Sequence, residues 1–340
     1  MERPSHLPLQ DGVSPSCVAL SNGSWGLVLD FLAQRLPMVS PEQWLQRMAE
    51  GWVLDEFGQA LKPSTTCADL RQRTAQEHPR IYYYRHLAFE PPIPLKERIL
   101  FQDEHLVVAD KPHFLPVTPT GRFVKESLLV RLKQQLGLSM LSPIHRIDRE
   151  TAGVVVFSVR AKDRAAYQAL FKDRLVDKLY EAIAPYNRHS HQNHHRLVGN
   201  DSPKYGHWDG AQPMLYQSRI EPDVKFFKQR EVSGPPNSQT HIERVHEVQL
   251  ENATLSQQRW ALYRLKPITG KTHQLRVHMN ALGRPILNDL LYPNVVHGPG
   301  HADDYTRPLQ LCAKAIAFQD PITGQARFYE SQLHNLGQTS

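Results

Sequence analysis

Apolar residues recur at helical spacing from Leu27 to Leu36, and a second short helix is predicted directly afterwards. Ser40 offers an N-cap, Pro41 suits the first helical position, Trp44, Leu45 and Met48 share one face, and Gly51 ends the run. Residues 1–24 carry Pro, Ser and Gly without periodicity, which predicts a loose leader. Pro91-Pro92-Ile93-Pro94 can continue neither a helix nor a central strand and marks a linker. It separates a small helical module over residues 25–90 from a larger domain over 95–340.

In the larger domain, Leu106-Val107-Val108-Ala109 reads as a buried strand, Glu126 to Leu136 as an amphipathic helix closed by Gly137, and Val154 to Val159 as another strand. Ala165 to Phe171 returns to helical spacing, Leu179 to Ala184 alternates as a strand, Trp260 to Leu265 is a further strand, and His273 to Leu282 is a helix ended by Gly283. Strands and helices are interspersed without strict alternation. The fold class expected is therefore α+β, with a mixed, largely antiparallel central sheet and flanking helices. Residues 186–240 are polar and rich in histidine, with little periodicity, and are expected to form loops and short strands decorating the core.

At 340 residues the chain can bury a substantial core, and its net charge of +6 fits a polyanionic partner without selecting one. Cys17, Cys67 and Cys312 are odd in number and widely spaced, so no disulfide framework or zinc spacing emerges, and a reducing cytoplasm is expected. Met1-Glu2-Arg3-Pro4 lacks the pattern of a secretion signal, and no segment approaches the ~18 apolar residues needed to cross a bilayer.

The candidate chemistry begins at His145-Arg146-Ile147-Asp148-Arg149-Glu150-Thr151-Ala152-Gly153, where an acid lies between two arginines and runs into the apolar Val154-Val155-Val156-Phe157. Guanidinium neighbours favour the ionised carboxylate, and a turn leading into a buried strand fixes its position, which suits a nucleophile. An ordinary surface loop with an Asp-Arg pair fits the same nonapeptide. Downstream, Lys271 to Arg284 contains no acid, while Lys271, His273, Arg276, His278 and Arg284 put basic groups near a helix N-terminus, an arrangement that attracts phosphate.

Four ordered segments carry a resemblance: Asp110-Lys111-Pro112 with Leu115-Pro116, the nonapeptide around Asp148, Lys178-Leu179-Tyr180-Glu181-Ala182, and Gly270-Lys271-Thr272-His273-Gln274-Leu275-Arg276-Val277-His278. Together, over roughly residues 96–330, the chain resembles the RluA-type family of pseudouridine synthases. The resemblance implies an RNA-modifying isomerase that turns a uridine into pseudouridine in a transfer RNA or large-subunit ribosomal RNA, with no cofactor and no metal. It assigns catalysis to Asp148, to Tyr180 as a ring stacking on the base and assisting proton transfer, and to Arg276 as the clamp on the acid. Arg146 is implied in base flipping, with His145 along the same path, and Lys271 and His273 are the RNA contacts expected at the helix start. Lys111 and Pro112 are implied to be scaffold.

Departures from the family pattern are Ile147 for Leu, Ala152 for Ser, Lys271 for Arg, Asp110 for Asn, which adds negative charge near the site, and Phe114 for Gly. The N-terminal helix pair with Gly51-Trp52-Val53-Leu54 resembles the small RNA-binding module shared with one small-subunit ribosomal protein. Its acids nearly offset its bases, so RNA binding and a purely packing role both stand.

Two rival readings remain. His189-Ser190-His191-Gln192-Asn193-His194 approaches the signature of binuclear zinc hydrolases, with His189, His191 and His194 as ligands, although Asn193 replaces its aspartate and Arg188 and Arg196 oppose a cation. A non-catalytic RNA-binding protein is the other.

Overall fold

The computed structural model describes residues 7–85, 90–186, 212–224, 227–250, 258–296, 298 and 301–333. The histidine cluster His189, His191 and His194 lies outside them. The chain divides into two compact units, the first taking residues up to Pro91 together with 119–126 and 130–140, the second the remainder. The proline-rich break expected at 91–94 therefore coincides with one boundary, but two later segments belong with the first unit.

The first unit contains β1 (Ser16–Ala19), α1 (Val28–Arg35), α2 (Pro41–Ala49), β2 (Val53–Leu54), α3 (Cys67–Thr74) and β3 (Arg80–Tyr83). Its sheet runs β1-β3-β2, antiparallel throughout. The expected loose leader is thus corrected over Ser16–Ala19, which pairs residue for residue with Arg80–Tyr83. No periodicity marked this strand, because its burial comes from a partner more than sixty residues downstream. Helix α2 starts as its sequence dictates, with a reciprocal capping box between Ser40 and Gln43. Trp44 and Met48 are buried while Leu45 is exposed, so the face is narrower than expected. Helix α3, absent from the sequence reading, is capped by Thr66, whose hydroxyl accepts from the Asp69 amide at 2.9 Å.

The second unit holds β4 (Arg98–Gln102), β5 (Leu106–Lys111), β6 (Ser142–Pro143), β7 (Ala152–Ser158), α5 (Arg164–Lys172), β8 (Val176–Pro185), β9 (Met214–Pro222), β10 (Gln229–Val232), β11 (Ser238–Val248), β12 (Trp260–Pro267), α6 (Gln274–Ala281), β13 (Leu311–Gln319) and β14 (Ala326–Glu330). Helix α4 (Leu128–Leu136) begins in this unit and continues in the first. The strands form one 11-stranded sheet in the order β10-β9-β11-β12-β8-β13-β7-β5-β4, with β14 on β13 and β6 on β7. Its named pairs are antiparallel except β7 with β13, which makes the sheet mixed and largely antiparallel. Strands β5 and β7 are buried along their whole length, which is why they read as unbroken apolar runs.

The polar stretch 186–240 differs from expectation in its described part. Strands β9, β10 and the start of β11 extend the central sheet at one end instead of decorating it. Their burial alternates imperfectly, since an edge strand is half wetted, and that hides the strand period in sequence. Among the described residues, no helix is long and apolar enough to cross a membrane.

Candidate active site

A pocket of about 540 Å³ opens in the second unit, lined in part by Arg146, Asp148, Lys178, Tyr180, Lys271, His273 and Arg276. Asp148 reaches it from the loop between β6 and β7, and that loop is held from below. Lys111, fully buried at the end of β5, donates through Nζ to the carbonyls of Pro112, Leu115 and Arg149 at 2.9, 2.7 and 3.0 Å. Three acceptors match the three protons of an ammonium. Burial pulls the Lys111 amine down to about 7, against the opposing pull of Glu150 and Asp148. His113 Nδ1 bonds the Glu150 carbonyl at 2.7 Å, and Arg149 forks onto Asp303 at 2.9 and 2.7 Å. Phe114 sits at φ 65, a left-handed conformation that glycine adopts more freely, which accounts for the residue usual at that place.

Helix α6 brings the cation. Its approach is set by Gln274, whose buried side chain accepts from the Lys271 amide and the Thr269 hydroxyl and donates to the Gln239 carbonyl and the Thr240 hydroxyl. Two residues on, Arg276 is 1% exposed. Its fork was expected on Asp148, and here the structure corrects the reading. Nε and Nη2 donate to Asp289 at 2.8 and 2.7 Å, while Nη1 stands 3.5 Å from Asp148 Oδ2 and 3.7 Å from Glu150 Oε2. Nη1 is buried and makes no hydrogen bond. Burial opposes the charge on Arg276, but Asp289 outweighs it, with help from Asp148 and Glu150, so the guanidinium stays charged. Burial likewise raises the Glu150 carboxyl, yet Arg276 and Arg149 hold it below its ordinary value. Asp289 had no motif to announce it. Its Oδ1 also accepts from the amides of Leu291 and Tyr292 at 2.9 and 3.2 Å, so it is rigidly aimed.

Tyr180 lies on β8, between Leu265 of β12 and Ala313 of β13. Burial, then the Asp148 charge, raises its phenol well above the ordinary value, so it stays protonated near neutrality. His273 caps α6 in a left-handed conformation, φ 54, with Nδ1 3.1 Å from the Tyr292 hydroxyl and Nε2 3.9 Å from Asp148 Oδ2. Burial lowers its pKa despite Asp148, so it enters the pocket as a neutral ring and not as the cation expected.

Arg146 and Lys271 are exposed at the pocket, and among the described residues their side chains bond no other group. His145 is a neutral wall: Nε2 accepts from the Val156 amide at 3.1 Å, its ring stacks on Phe171, and burial lowers its pKa to about 3. Two further expected phosphate contacts are corrected. His278 is fully buried between Thr240 and Ser238, and Arg284 is buried with Nη1 donating to the Tyr263 hydroxyl at 2.8 Å. Asp110 adds no charge to the pocket either, since it is buried and accepts from Ser331 Oγ and the amides of Gln332 and Leu333. Among the described residues no cluster suits a metal ion.

A mixed sheet whose strand β8 carries one phenol, with one carboxylate from the loop before β7 and one locked guanidinium from α6 at the same cation-rimmed pocket, defines an enzyme fold suited to a polyanionic substrate. The chain belongs to the RNA pseudouridylate synthase family, whose profile matches residues 105–281. It is 30% identical over 237 residues to the dual-specificity RNA pseudouridine synthase RluA of Vibrio vulnificus, covering 69% of this chain and 82% of that one. It is 31% identical over 217 residues to the pseudouridylate synthase RPUSD2 of Homo sapiens, covering 62% of this chain but only 33% of that relative's length. Among solved structures, human RNA pseudouridylate synthase domain containing 1 matches in fold with a TM-score of 0.52, at 19% identity over 72% of this chain and 86% of that chain.

Proposed function

We propose that this chain isomerises a specific uridine to pseudouridine in a structured transfer RNA or large-subunit ribosomal RNA, with Asp148 as the catalytic carboxylate. The observation that carries the reading is the shared pocket: Asp148, Tyr180 and Arg276 all line it, and the unbonded Nη1 of Arg276 stands 3.5 Å from Asp148 Oδ2. The reaction breaks the bond between uracil N1 and the ribose carbon and joins that carbon to C5. A proton leaves C5 and one arrives at N1, with no net oxidation or reduction. Asp148 offers negative charge to the sugar as the bond breaks, Tyr180 offers a stacking face to the freed base, and Arg276 holds the acid in place. Reaching the pocket requires the uridine to leave its stack, at a cost of about a few kcal/mol, and the exposed Arg146 is suited to fill the gap.

Asp148→Asn is the test. Pseudouridine mapping on transfer RNA and large-subunit ribosomal RNA incubated with each protein should show the modification with the unaltered chain. The variant should lose it by about 10³-fold or more, the scale on which removal of a nucleophile acts, while RNA affinity is kept. Full activity in the variant removes Asp148 from the chemistry, and RNA binding without modification by the unaltered chain makes it a binding protein.

A further inference from the structure

The turn between α5 and β8 is not explained by the chemistry above. Lys172, Arg174 and Lys178 from this corner line the same pocket as Asp148, and among the described residues none of the three forms an ion pair. Asp173 and Asp177 share the corner, yet they do not line the pocket and no ion pair joins them to these cations. Lys178 is half-buried, and burial, then the nearby Arg174 charge, lowers its pKa. Arg174 occupies a left-handed conformation at φ 60, and Leu175 is tied by its amide to the Leu170 carbonyl at 2.8 Å, so the corner is a defined turn. Leu175 is nevertheless 62% exposed, a large apolar side chain presented to solvent between cations.

Cations gathered without paired acids are repelled by one another, and a leucine left in water gains nothing for the fold. Both features become favourable when a polyanion carrying flat apolar faces lies across the corner. On the RNA reading proposed above, we infer that the corner 172–178 is a second RNA contact: Lys172 and Arg174 hold phosphates beside the extruded uridine, and Leu175 packs on a neighbouring base or ribose. Lys271 and Arg146 also line the pocket, so cations are available on more than one side of the nucleotide. The substrate is then a strand running through the pocket mouth, and recognition extends at least one nucleotide beyond the uridine.

The test is the salt dependence of binding to a fluorescein-labelled oligouridylate of about ten nucleotides, within the length range such grooves cover. The double variant Lys172→Gln/Arg174→Gln should weaken binding and reduce the magnitude of the log-log salt slope by about 1.4, two single-strand phosphate contacts at ~0.7 each. Leu175→Ser should weaken binding several-fold with the slope unchanged, because no charge is removed. Lys162→Gln, an exposed cation that does not line the pocket, is the control and should change neither. All four positions are exposed, and an unchanged thermal midpoint excludes loss of folding. An unaltered slope in the double variant, or the same change in the control, overturns the proposal. Failure of the chain to make pseudouridine would leave these slopes intact, so the two readings fail separately. Competition by polyphosphate as strong as by the oligouridylate in the unaltered protein, with Leu175→Ser silent, would also overturn it, because it would show a general anion site.

Discussion

Arg276 shows how a single side chain can serve three acids at once. A guanidinium has five N–H donors in a rigid fork, and here two point at Asp289 while the third nitrogen is left for Asp148 and Glu150. Asp289 is therefore placed to act on the site through Arg276, as a positioning residue. Arg276→Lys keeps the charge but cannot fork onto Asp289 and reach Asp148 together. It should lower activity by about 10²–10³-fold, the scale of losing one aimed donor, and destabilise the fold by about 3–5 kcal/mol, because a buried acid loses its partner. Asp289→Asn keeps the shape and lets Arg276 swing toward Asp148. It should reduce kcat with little change in KM, whereas damage to RNA binding would raise KM. Kinetics and urea unfolding on both variants check this, and an Asp289→Asn enzyme with unaltered kcat would remove the aiming role.

At the level of elements, Gly153 explains why the acid's loop must end as it does. It sits at φ 112 on β7, where β7 meets β13 in parallel, and a Cβ there would lie 2.2 Å from the Ala313 carbonyl oxygen. Gly153→Ala cannot be relieved by a rotamer change, because the obstacle is backbone. It should part the two strands and displace the loop that carries Asp148. Expected outcomes are a loss of at least about 3 kcal/mol in urea unfolding and loss of activity, and a variant of unaltered stability would show that the contact yields easily. The segments legible in sequence share this character. Strand β7 announces itself as an unbroken apolar run, helix α5 by apolar residues at helical spacing, helix α6 by the glycine that ends it, and the Asp148 loop because its acid, arginines and glycine are contiguous. What stayed hidden depends on partners distant in the chain. Strand β1 is defined by β3, Asp289 by Arg276, and Lys111 as a floor by the carbonyl of Arg149. The neutral state of His273 was equally invisible, since burial and not neighbouring sequence sets it.

The whole second unit carries a consequence of burying imidazoles. Burial lowers His145 and His278 from 6.5 to about 3 and His113 to about 4, so all three are neutral when folded. In the unfolded chain each takes up a proton near its ordinary value of about 6.5. Between that value and about 4, the unfolded state binds more protons than the folded one, so stability falls as pH falls through this window. Above about 7 these three groups are neutral in both states and contribute no slope. Each histidine adds at most about 1.4 kcal/mol per pH unit, and the three together at most about 4. The carboxyl of Glu150, held low by Arg276 and Arg149, adds the same sign of dependence only as the solution nears ordinary carboxyl values, and buried Lys111, at about 7 when folded, adds it only at the top of the range, so the imidazoles dominate between about pH 6 and 5. Urea midpoints followed from about pH 7 down to about pH 5 should therefore fall steadily while the m-value holds. The imidazole of His278 bonds Thr240 on one side and Ser238 on the other. A His278→Gln chain offers one donor and one acceptor there without titrating, so it should lose about one proton's worth of that slope. Midpoints that stay flat over this range would mean that the buried rings already carry protons when folded, and would restore His145 as a cation at the pocket wall.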